Sequence, residues 1–253
     1  MVSTGTAEVV EVALPAAGWE REVNLQPLYE GNISVYQHVV PGLFLAMTLN
    51  HSGGLALRWL RDNFCELQTL QADQTGADAY DLILAGVPDQ PSGLLVMPHF
   101  SGSGTPTIDT QSKAAIIGLT FSTTRTDLAK AILEGLTYEL RLNLDLLQKS
   151  GAEIDVLRAI GGGAKSKLWL QLKADVTGIT VVTPQIAEAA GFGAALLAGV
   201  GAGVFPSAAE AANTFLHLTD TYQPEPTRQA AYDRHYELYQ QLYPAVAPLT
   251  HQL

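Results

Sequence analysis

Three consecutive glycines, Gly161 to Gly163, stand in the stretch AIGGGAKSKLW, between an apolar run and a segment with helical spacing. Glycines at such a turn let a ligand approach the backbone, because no Cβ atom holds it away. The first N–H groups of the following helix have no partner within the helix and can bind an anion or a flat polar ligand. These residue types therefore indicate a turn that could bind a ligand.

Two known glycine motifs do not fit this stretch. A phosphate-binding P-loop requires G-x-x-x-x-G-K-[ST], but Ala164 precedes Lys165 here and no glycine stands at the head of the frame. A dinucleotide turn requires G-x-G-x-x-G followed by an acidic residue about twenty positions on. The first two glycines fit, but Ser166 occupies the third position and Thr183 occupies the acidic one. The first motif is excluded and the second is incomplete.

Two interpretations of the glycine stretch remain, and the stretch alone does not separate them. The turn could hold a flat ligand against its backbone, or it could only change the direction of the chain. Two further turns have similar chemistry: STGT at residues 3–6 precedes a strand, and SGG at residues 52–54 precedes a helix. Three such turns in a domain of sheets and helices favour a shared ligand cleft.

The pattern along the chain predicts the elements that would position these turns. Strands are predicted at 6–14, 94–98, 114–121, 154–160 and 179–184, with two more within 33–47 joined at Pro41-Gly42. Helices are predicted at 52–64, about 76–86, 126–149, 167–178, 187–203, 207–217 and 227–242, and residues 15–30 are predicted to be a loop. The first half is rich in hairpins and the second half alternates strand and helix, so we expect an α/β fold with a largely parallel sheet.

Two helices carry more specific predictions. In the helix at 126–149, Asp127 is interpreted as a first-turn charge, and Arg141 is expected to pair with Asp145 on the open side. The helix at 187–203 contains four glycines that lower its helix propensity. We expect them to permit close packing on the sheet or beside a ligand; they are Gly191, Gly193, Gly199 and Gly201.

Composition excludes several classes of function. The 253 residues carry a net charge of −11 with only 14 basic residues, so a nucleic-acid surface is not expected. The single cysteine, Cys65, excludes a disulfide framework, and the six histidines lack the spacing of metal sites, so no metal ligands are predicted. No signal peptide and no apolar run of about 18 residues are found, so no membrane span and a cytoplasmic location are expected.

Six ordered segments of the chain resemble a known family. They are STGTAEVVEV, VVPGLFLAMTLNHSGGLALRWLRD, PHFSGSGTP, GLTFSTTRTDLAKAILEGLTYELR, AIGGGAKSKLWLQLKADVTG and AEAAGFGAALLAGVGAGVF. Together they run from Ser3 to about Phe205 and resemble the C-terminal, nucleotide-binding domain of the FGGY carbohydrate kinases, most of all the xylulokinase branch. The resemblance implies a ribonuclease-H-like, actin-like ATPase fold, with a mixed β-sheet flanked by helices.

The resemblance also implies that the chain binds ATP, with Mg²⁺ arriving on the nucleotide. It assigns Gly5 and Thr6 to the terminal phosphates, and Gly162, Gly163 and Ser166 to the adenosine. It also assigns Gly54 and Arg58 to a helix that approaches the nucleotide with its start. Many glycerol kinases carry Asn at the last of these positions. The glycine stretch is then expected to hold the adenosine end of ATP.

The resemblance implies half of an enzyme. Residues 1–253 are expected to be a single FGGY-type C-terminal ATP-binding domain, without the N-terminal sugar-binding domain that carries the general base. No catalytic residue is therefore assigned here. The expected function is the ATP-binding half of a sugar kinase that transfers the γ-phosphate to a sugar or polyol hydroxyl, inactive alone.

Two other functions remain as alternatives. One is a non-catalytic nucleotide-binding or regulatory module that works without a sugar domain, and the other is a folded remnant that binds nothing. The expected partners are ATP or ADP, and a sugar through the other domain. An apolar interdomain face can also self-associate, which keeps a homodimer among the alternatives.

Overall fold

The computed structural model of the protein describes residues 1–15, 25–186 and 188–253. Within these residues nine strands are present: Val2–Thr4 (β1), Glu8–Pro15 (β2), Ser34–Gln37 (β3), Leu43–Asn50 (β4), Leu95–Met97 (β5), Ala115–Ile117 (β6), Val156–Ile160 (β7), Thr180–Pro184 (β8) and Leu218–Tyr222 (β9). Seven of them form one sheet in the order β3-β4-β2-β1-β7-β8-β9, and β5 and β6 form a separate antiparallel pair. In the large sheet β1, β7 and β8 are parallel, whereas the outer strands pair antiparallel.

Helices cover the sheet and connect its strands. In the described ranges they are Leu25–Glu30 (α1), Gly54–Phe64 (α2), Glu66–Thr75 (α3), Ala79–Leu84 (α4), Arg125–Lys149 (α5), Lys167–Thr177 (α6), Ala189–Gly201 (α7), Ala208–Phe215 (α8), Pro226–Tyr239 (α9) and Leu242–Thr250 (α10), with a 3-10 turn at Gly162–Lys165. None of these helices is long and apolar enough to cross a membrane. The result is the mixed sheet flanked by helices that the family resemblance implies. The expectation of a largely parallel sheet is wrong, because four of the six described strand pairings in the large sheet are antiparallel.

Helix α5 is the centre of the molecule. Its first turn is fixed by a capping box, in which Thr124 and Asp127 each bond the other's backbone N–H, so the interpretation of Asp127 as a first-turn residue is confirmed. The N-terminal half packs into a core with α2, α6 and α9, for example through Leu136. The C-terminal half packs on the large sheet, for example through Leu140 and Leu144. One long helix therefore joins both cores.

A close approach of two backbones fixes α5 against the small sheet. A Cβ atom built on Gly135 would lie 2.2 Å from the carbonyl oxygen of Val96 in β5. We expect Gly135→Ala to lower the free energy of unfolding by about 2 kcal/mol or more, because this clash outweighs the gain of about 1 kcal/mol in helix propensity. Gly191→Ala in α7 is the matched control, because a Cβ there meets nothing within 4 Å and should stabilise the helix. Urea unfolding of both variants tests this, and equal effects would contradict it.

Helix α7 does not pack as the sequence suggested. None of its residues is buried, although it is rich in alanine, leucine and glycine. Cβ atoms on Gly191, Gly193 and Gly201 would meet no atom within 4 Å among the described residues, so the prediction of close packing on the sheet is wrong for these three. Of the four, Gly199 alone has a close neighbour in the described part of the chain: a Cβ built on it would lie 2.5 Å from the ring of Phe205. An apolar helix face is thus left open on this chain.

Most predicted elements are present, and the elements β1, α3, β9 and α10 were not predicted. The predicted loop at 15–30 is wrong at its end, where α1 forms; its residues 16–24, and Ala187 in the predicted helix 187–203, lie outside the described residues. The strand predicted at 114–121 ends at Ile117, because Gly118 adopts a φ of +95°. Arg141 bonds Asp233 instead of Asp145, because α9 packs along that face of α5.

A buried carboxyl group on α5 gives the fold a pH dependence. Glu134 accepts hydrogen bonds from the backbone and hydroxyl of Ser92 and from Tyr232, and the ammonium group of Lys130 lies 3.9 Å away. Burial raises the pKa of Glu134 from 4.5 to about 7.

The direction of the effect follows from the raised pKa. The folded state holds this proton more tightly than the unfolded state, so the stabilisation is complete below pH 4.5 and is lost as the pH rises through 7. We expect the free energy of unfolding to fall by roughly 1–3 kcal/mol across this window. Glu134→Gln should flatten the profile, measured by urea unfolding between pH 4.5 and 7.5. The exposed Glu153→Gln is the control, and an unchanged slope in Glu134→Gln would contradict the prediction.

Candidate functional site

The first predicted turn is a tight hairpin between β1 and β2. Thr4 faces Glu8 across the two strands, which leaves residues 5–7 as the hairpin turn, closed by a hydrogen bond from the Gly5 N–H to the Ala7 carbonyl oxygen at 2.9 Å. Gly5 and Thr6 are exposed, and a Cβ atom on Gly5 would meet nothing within 4 Å. The turn therefore has free space on its outer side.

The second predicted turn, the start of α2, lies directly against the hairpin turn. The Gly54 N–H donates to the Gly5 carbonyl oxygen at 2.7 Å. A Cβ on Gly53 would lie 2.5 Å from the Ala7 carbonyl oxygen, so only glycine permits this approach. Arg58 follows one helical turn after Gly54, is exposed, and forms no hydrogen bond or ion pair with any described residue. The helix start thus stands beside the hairpin turn, with the Arg58 side chain, unpaired within the described ranges, one helical turn further along, and both groups favour an anion near this helix start.

The third predicted turn, residues 161–165, follows β7. Because β1 and β7 are parallel neighbours, with Ser3 opposite Ile160, the glycine turn and the hairpin turn lie at the same edge of the sheet. We call residues 161–165 the glycine turn. Its backbone packs on Thr4, since a Cβ on Gly161 would lie 2.7 Å from the Thr4 carbonyl oxygen and one on Gly163 would lie 2.8 Å from the Thr4 Cβ. Gly161 also needs its φ of +82°.

Gly162 differs from its two neighbours in the glycine turn. It is exposed, its φ is not positive, and the nearest atom to a Cβ built on it is the Thr4 carbonyl oxygen at 3.9 Å. Gly161 and Gly163 are therefore glycines because of the fold, whereas nothing in the described chain requires glycine at 162. The same is true of Gly5. Both residues face open space at the edge of the sheet, which is what a ligand lying on the backbone requires.

Ser166, the last predicted site residue, caps α6. Its hydroxyl oxygen accepts a hydrogen bond from the Trp169 N–H at 3.3 Å. This bond satisfies one of the free N–H groups at the helix start. The structure thus brings Gly5 into contact with Gly54 and packs the glycine turn on Thr4, the residue before the hairpin turn. Thr6 and Ser166 follow Gly5 and the glycine turn directly in the chain, and Arg58 lies one helical turn after Gly54.

Sequence reasoning missed the residues beneath these turns. Lys173 of α6 donates from its ammonium group to Glu8 at 2.5 Å and to Thr4 at 2.6 Å, and all three side chains are buried. The available signal was a glutamate within a valine-rich strand and a lysine on an otherwise apolar helix face. A separation of 165 residues gave no reason to pair them.

The polar residues of the neighbouring loop have structural partners. Asp109 accepts hydrogen bonds from Tyr243 at 2.8 Å and from His251 at 2.6 Å, which ties the loop to the C-terminal helix. Burial alone would raise the pKa of Asp109, but these bonds and the Gln111 backbone N–H lower it to about 2. His99 is buried between Ser112 and Glu139. We therefore interpret Asp109 and His99 as residues that hold the fold.

The fold and the three turns define the class of protein: an α/β domain of the ribonuclease-H-like, actin-like ATPase fold. The chain belongs to the FGGY family of carbohydrate kinases. Residues 1–202 match the model of the "FGGY family of carbohydrate kinases, C-terminal domain".

Curated relatives and solved structures agree with this family. The chain is 30% identical over 225 residues to the xylulose kinase of Staphylococcus epidermidis and 35% identical over 233 residues to the autoinducer-2 kinase of Salmonella typhimurium. Each match covers 89% of this chain and 44% of the relative, so the chain spans less than half the length of these relatives. A xyloylose kinase from Brucella ovis superimposes with a TM-score of 0.79 at 29% identity, over 98% of this chain and 48% of that one. A ligand-bound xylulose kinase from Lactobacillus acidophilus, at 22% identity, shares the fold with a TM-score of 0.80, over 97% of this chain and 47% of that one.

Proposed function

We propose that residues 1–253 form the ATP-binding half of a sugar kinase. The observation that carries this proposal is that three turns lie at one edge of the sheet: the start of α2 bonds the hairpin turn, and the glycine turn packs on Thr4, the residue before the hairpin turn. Two glycines there, Gly5 and Gly162, have open space where a side chain would stand. A nucleotide fits such a surface because its phosphates bind to backbone N–H groups and its base lies flat on a backbone without side chains.

Each end of ATP has its own residues in this proposal. The terminal phosphates lie at Gly5 and Thr6, next to the start of α2 at Gly54, and the free guanidinium group of Arg58 can reach a phosphate oxygen. The adenosine lies over Gly162 and Gly163 of the glycine turn. Ser166 holds the following helix in place by its cap. Mg²⁺ arrives bound to the phosphates, because this cation usually keeps several waters and few protein ligands.

Phosphoryl transfer needs more than a bound nucleotide. The acceptor hydroxyl must be aligned with the γ-phosphate, and its proton must be accepted. We propose that both tasks belong to a domain equivalent to the half of the relatives that this chain does not match. The open apolar face of α7 is where we expect that half to pack. We therefore propose that the chain alone binds nucleotide and does not phosphorylate a sugar or polyol.

Hydrogen exchange of the isolated chain with and without Mg·ADP tests this proposal. The nucleotide should slow amide exchange at residues 5–7, 53–54 and 161–166, and it should leave the edge strand β9 unchanged. A coupled assay with ATP and D-xylulose should show no turnover above the rate without sugar. Protection elsewhere, or none at these turns when binding is saturated, would contradict the assignment of the site. Sugar-dependent turnover by the chain alone would contradict the proposal that it is half of an enzyme.

A further inference from the structure

A buried ion pair lies directly beneath the proposed nucleotide site. The Lys173 ammonium group contacts the Glu8 carboxylate at 2.5 Å, and both side chains are 1% exposed. Thr4 joins the pair, because its hydroxyl donates to the same carboxylate oxygen at 2.6 Å and accepts from Lys173 at 2.6 Å. The three groups form a closed triangle of short, charge-assisted contacts.

The triangle connects the two ends of the site. Thr4 and Glu8 are the residues on either side of the hairpin turn, and they face each other in the strand register. Lys173 lies on α6, the helix that follows the glycine turn, and its ammonium group is 4.7 Å from the ring centre of Trp169. The glycine turn itself packs on Thr4. A single set of side chains therefore fixes the hairpin turn relative to the glycine turn.

The charges of Glu8 and Lys173 affect the binding of an anionic ligand at the hairpin turn. Glu8 places a carboxylate within two residues of the turn where the phosphates are proposed to lie, and in low dielectric this charge would repel them. One of its oxygens, Oε1, is buried and has no hydrogen-bond partner among the described residues. Lys173 supplies the compensating positive charge. Removing Lys173 would leave a negative charge under the phosphates, and removing Glu8 would leave a positive one.

We propose that Lys173 and Glu8 are positioning residues for the nucleotide: they fix the distance between the phosphate end and the adenosine end, and Lys173 cancels the charge of Glu8. This inference rests on the proposed function. A purely structural role would change the affinities for ADP and adenosine by the same factor. The positioning role changes them by different factors, because only ADP carries phosphates above Glu8.

The experiment compares Lys173→Met, Glu8→Gln and the double variant with the wild-type chain. Removing one partner of a buried ion pair destabilises the fold more than replacing both. The double variant can therefore still be measured if a single variant does not fold. Circular dichroism and thermal melting establish folding. Dissociation constants for ADP and for adenosine are then measured by calorimetry or by NMR titration.

Lys173→Met is expected to lower the affinity for ADP at least about tenfold relative to the affinity for adenosine. Glu8→Gln is expected to shift the ratio of these two affinities in the opposite direction. In the double variant the charge effect disappears, and amide exchange at residues 5–7 and 161–166 becomes faster than in the wild type. The matched control is Lys130→Met with Glu134→Gln, a second buried pair whose hydrogen bonds go to Pro88, Ser92 and Tyr232 and not to the hairpin turn. This control should leave the ratio and the exchange of both turns unchanged.

The outcomes separate this inference from the function on which it rests. If wild-type chain binds no nucleotide, the proposed function fails, and the exchange measurement alone decides whether the pair holds the two turns together. If wild-type chain binds ADP but all variants change ADP and adenosine affinity equally, the positioning role is overturned and the proposed function stands. Unchanged exchange at both turns in the double variant would also overturn it.

Discussion

Replacing Gly162 by valine is expected to abolish ADP binding while the chain remains folded. The residue is exposed, its φ is not positive, and a Cβ there lies 3.9 Å from its nearest neighbour, so the fold has room for a side chain. The valine would occupy the space above the glycine turn in which the adenosine is proposed to lie. We expect ADP affinity to fall at least about hundredfold, and the free energy of unfolding to change by less than about 1 kcal/mol.

Gly163→Val is the contrasting variant, which distinguishes a blocked adenosine site from a destabilised fold. Its Cβ would lie 2.8 Å from Thr4 and 3.2 Å from the ring of Trp169, so this variant should lose about 2 kcal/mol or more of stability. Calorimetric titration with ADP and urea unfolding measure both variants. A folded Gly162→Val chain that binds ADP like the wild type would show that adenosine does not lie on the glycine turn.

Replacing Gly5 by valine is expected to remove the contribution of the phosphates to binding. A Cβ on Gly5 meets nothing within 4 Å, so the hairpin turn should form, but the side chain would stand where the terminal phosphates approach. ADP affinity should fall at least about tenfold, toward that of adenosine, whose affinity should not change. Competition titrations with ADP and adenosine measure the two affinities in one variant.

Gly93→Val is the control for this substitution. Gly93 is also exposed, and its Cβ also has free space, but it lies in the loop before β5, away from the three turns. We expect it to change neither affinity. Equal loss of ADP and adenosine affinity in Gly5→Val would place both ends of the nucleotide at the hairpin turn and contradict the division between the two turns.

The spacing of apolar residues predicted those helices and strands whose own sequence marks a buried face. Helix α5 was predicted nearly to the residue, because its apolar positions repeat at helical spacing and Thr124 caps it. Strand β9 was missed, because Leu218–Tyr222 is polar and pairs only at the sheet edge. Helix α3 was missed for a similar reason: only Ala72 is buried, so no apolar face marks it. Both depend on contacts that neighbouring residues do not show.

The site was predictable in its position and not in its detail. Three glycine-rich turns suggested one cleft, and the structure places all three at the edge where β1 and β7 end. The sequence did not distinguish Gly162 from Gly161 and Gly163, because that difference depends on what each Cβ would meet at Thr4. It also did not pair Lys173 with Glu8, since only the packing of α6 on the sheet brings them together.

The most direct test of the central claim is a calorimetric titration of Mg·ADP into the isolated chain. We expect saturable binding of one nucleotide per chain, lost in Gly162→Val and retained in Gly93→Val. A chain that is folded by circular dichroism and yet binds no ADP at millimolar concentration would contradict the claim that these three turns form a nucleotide site.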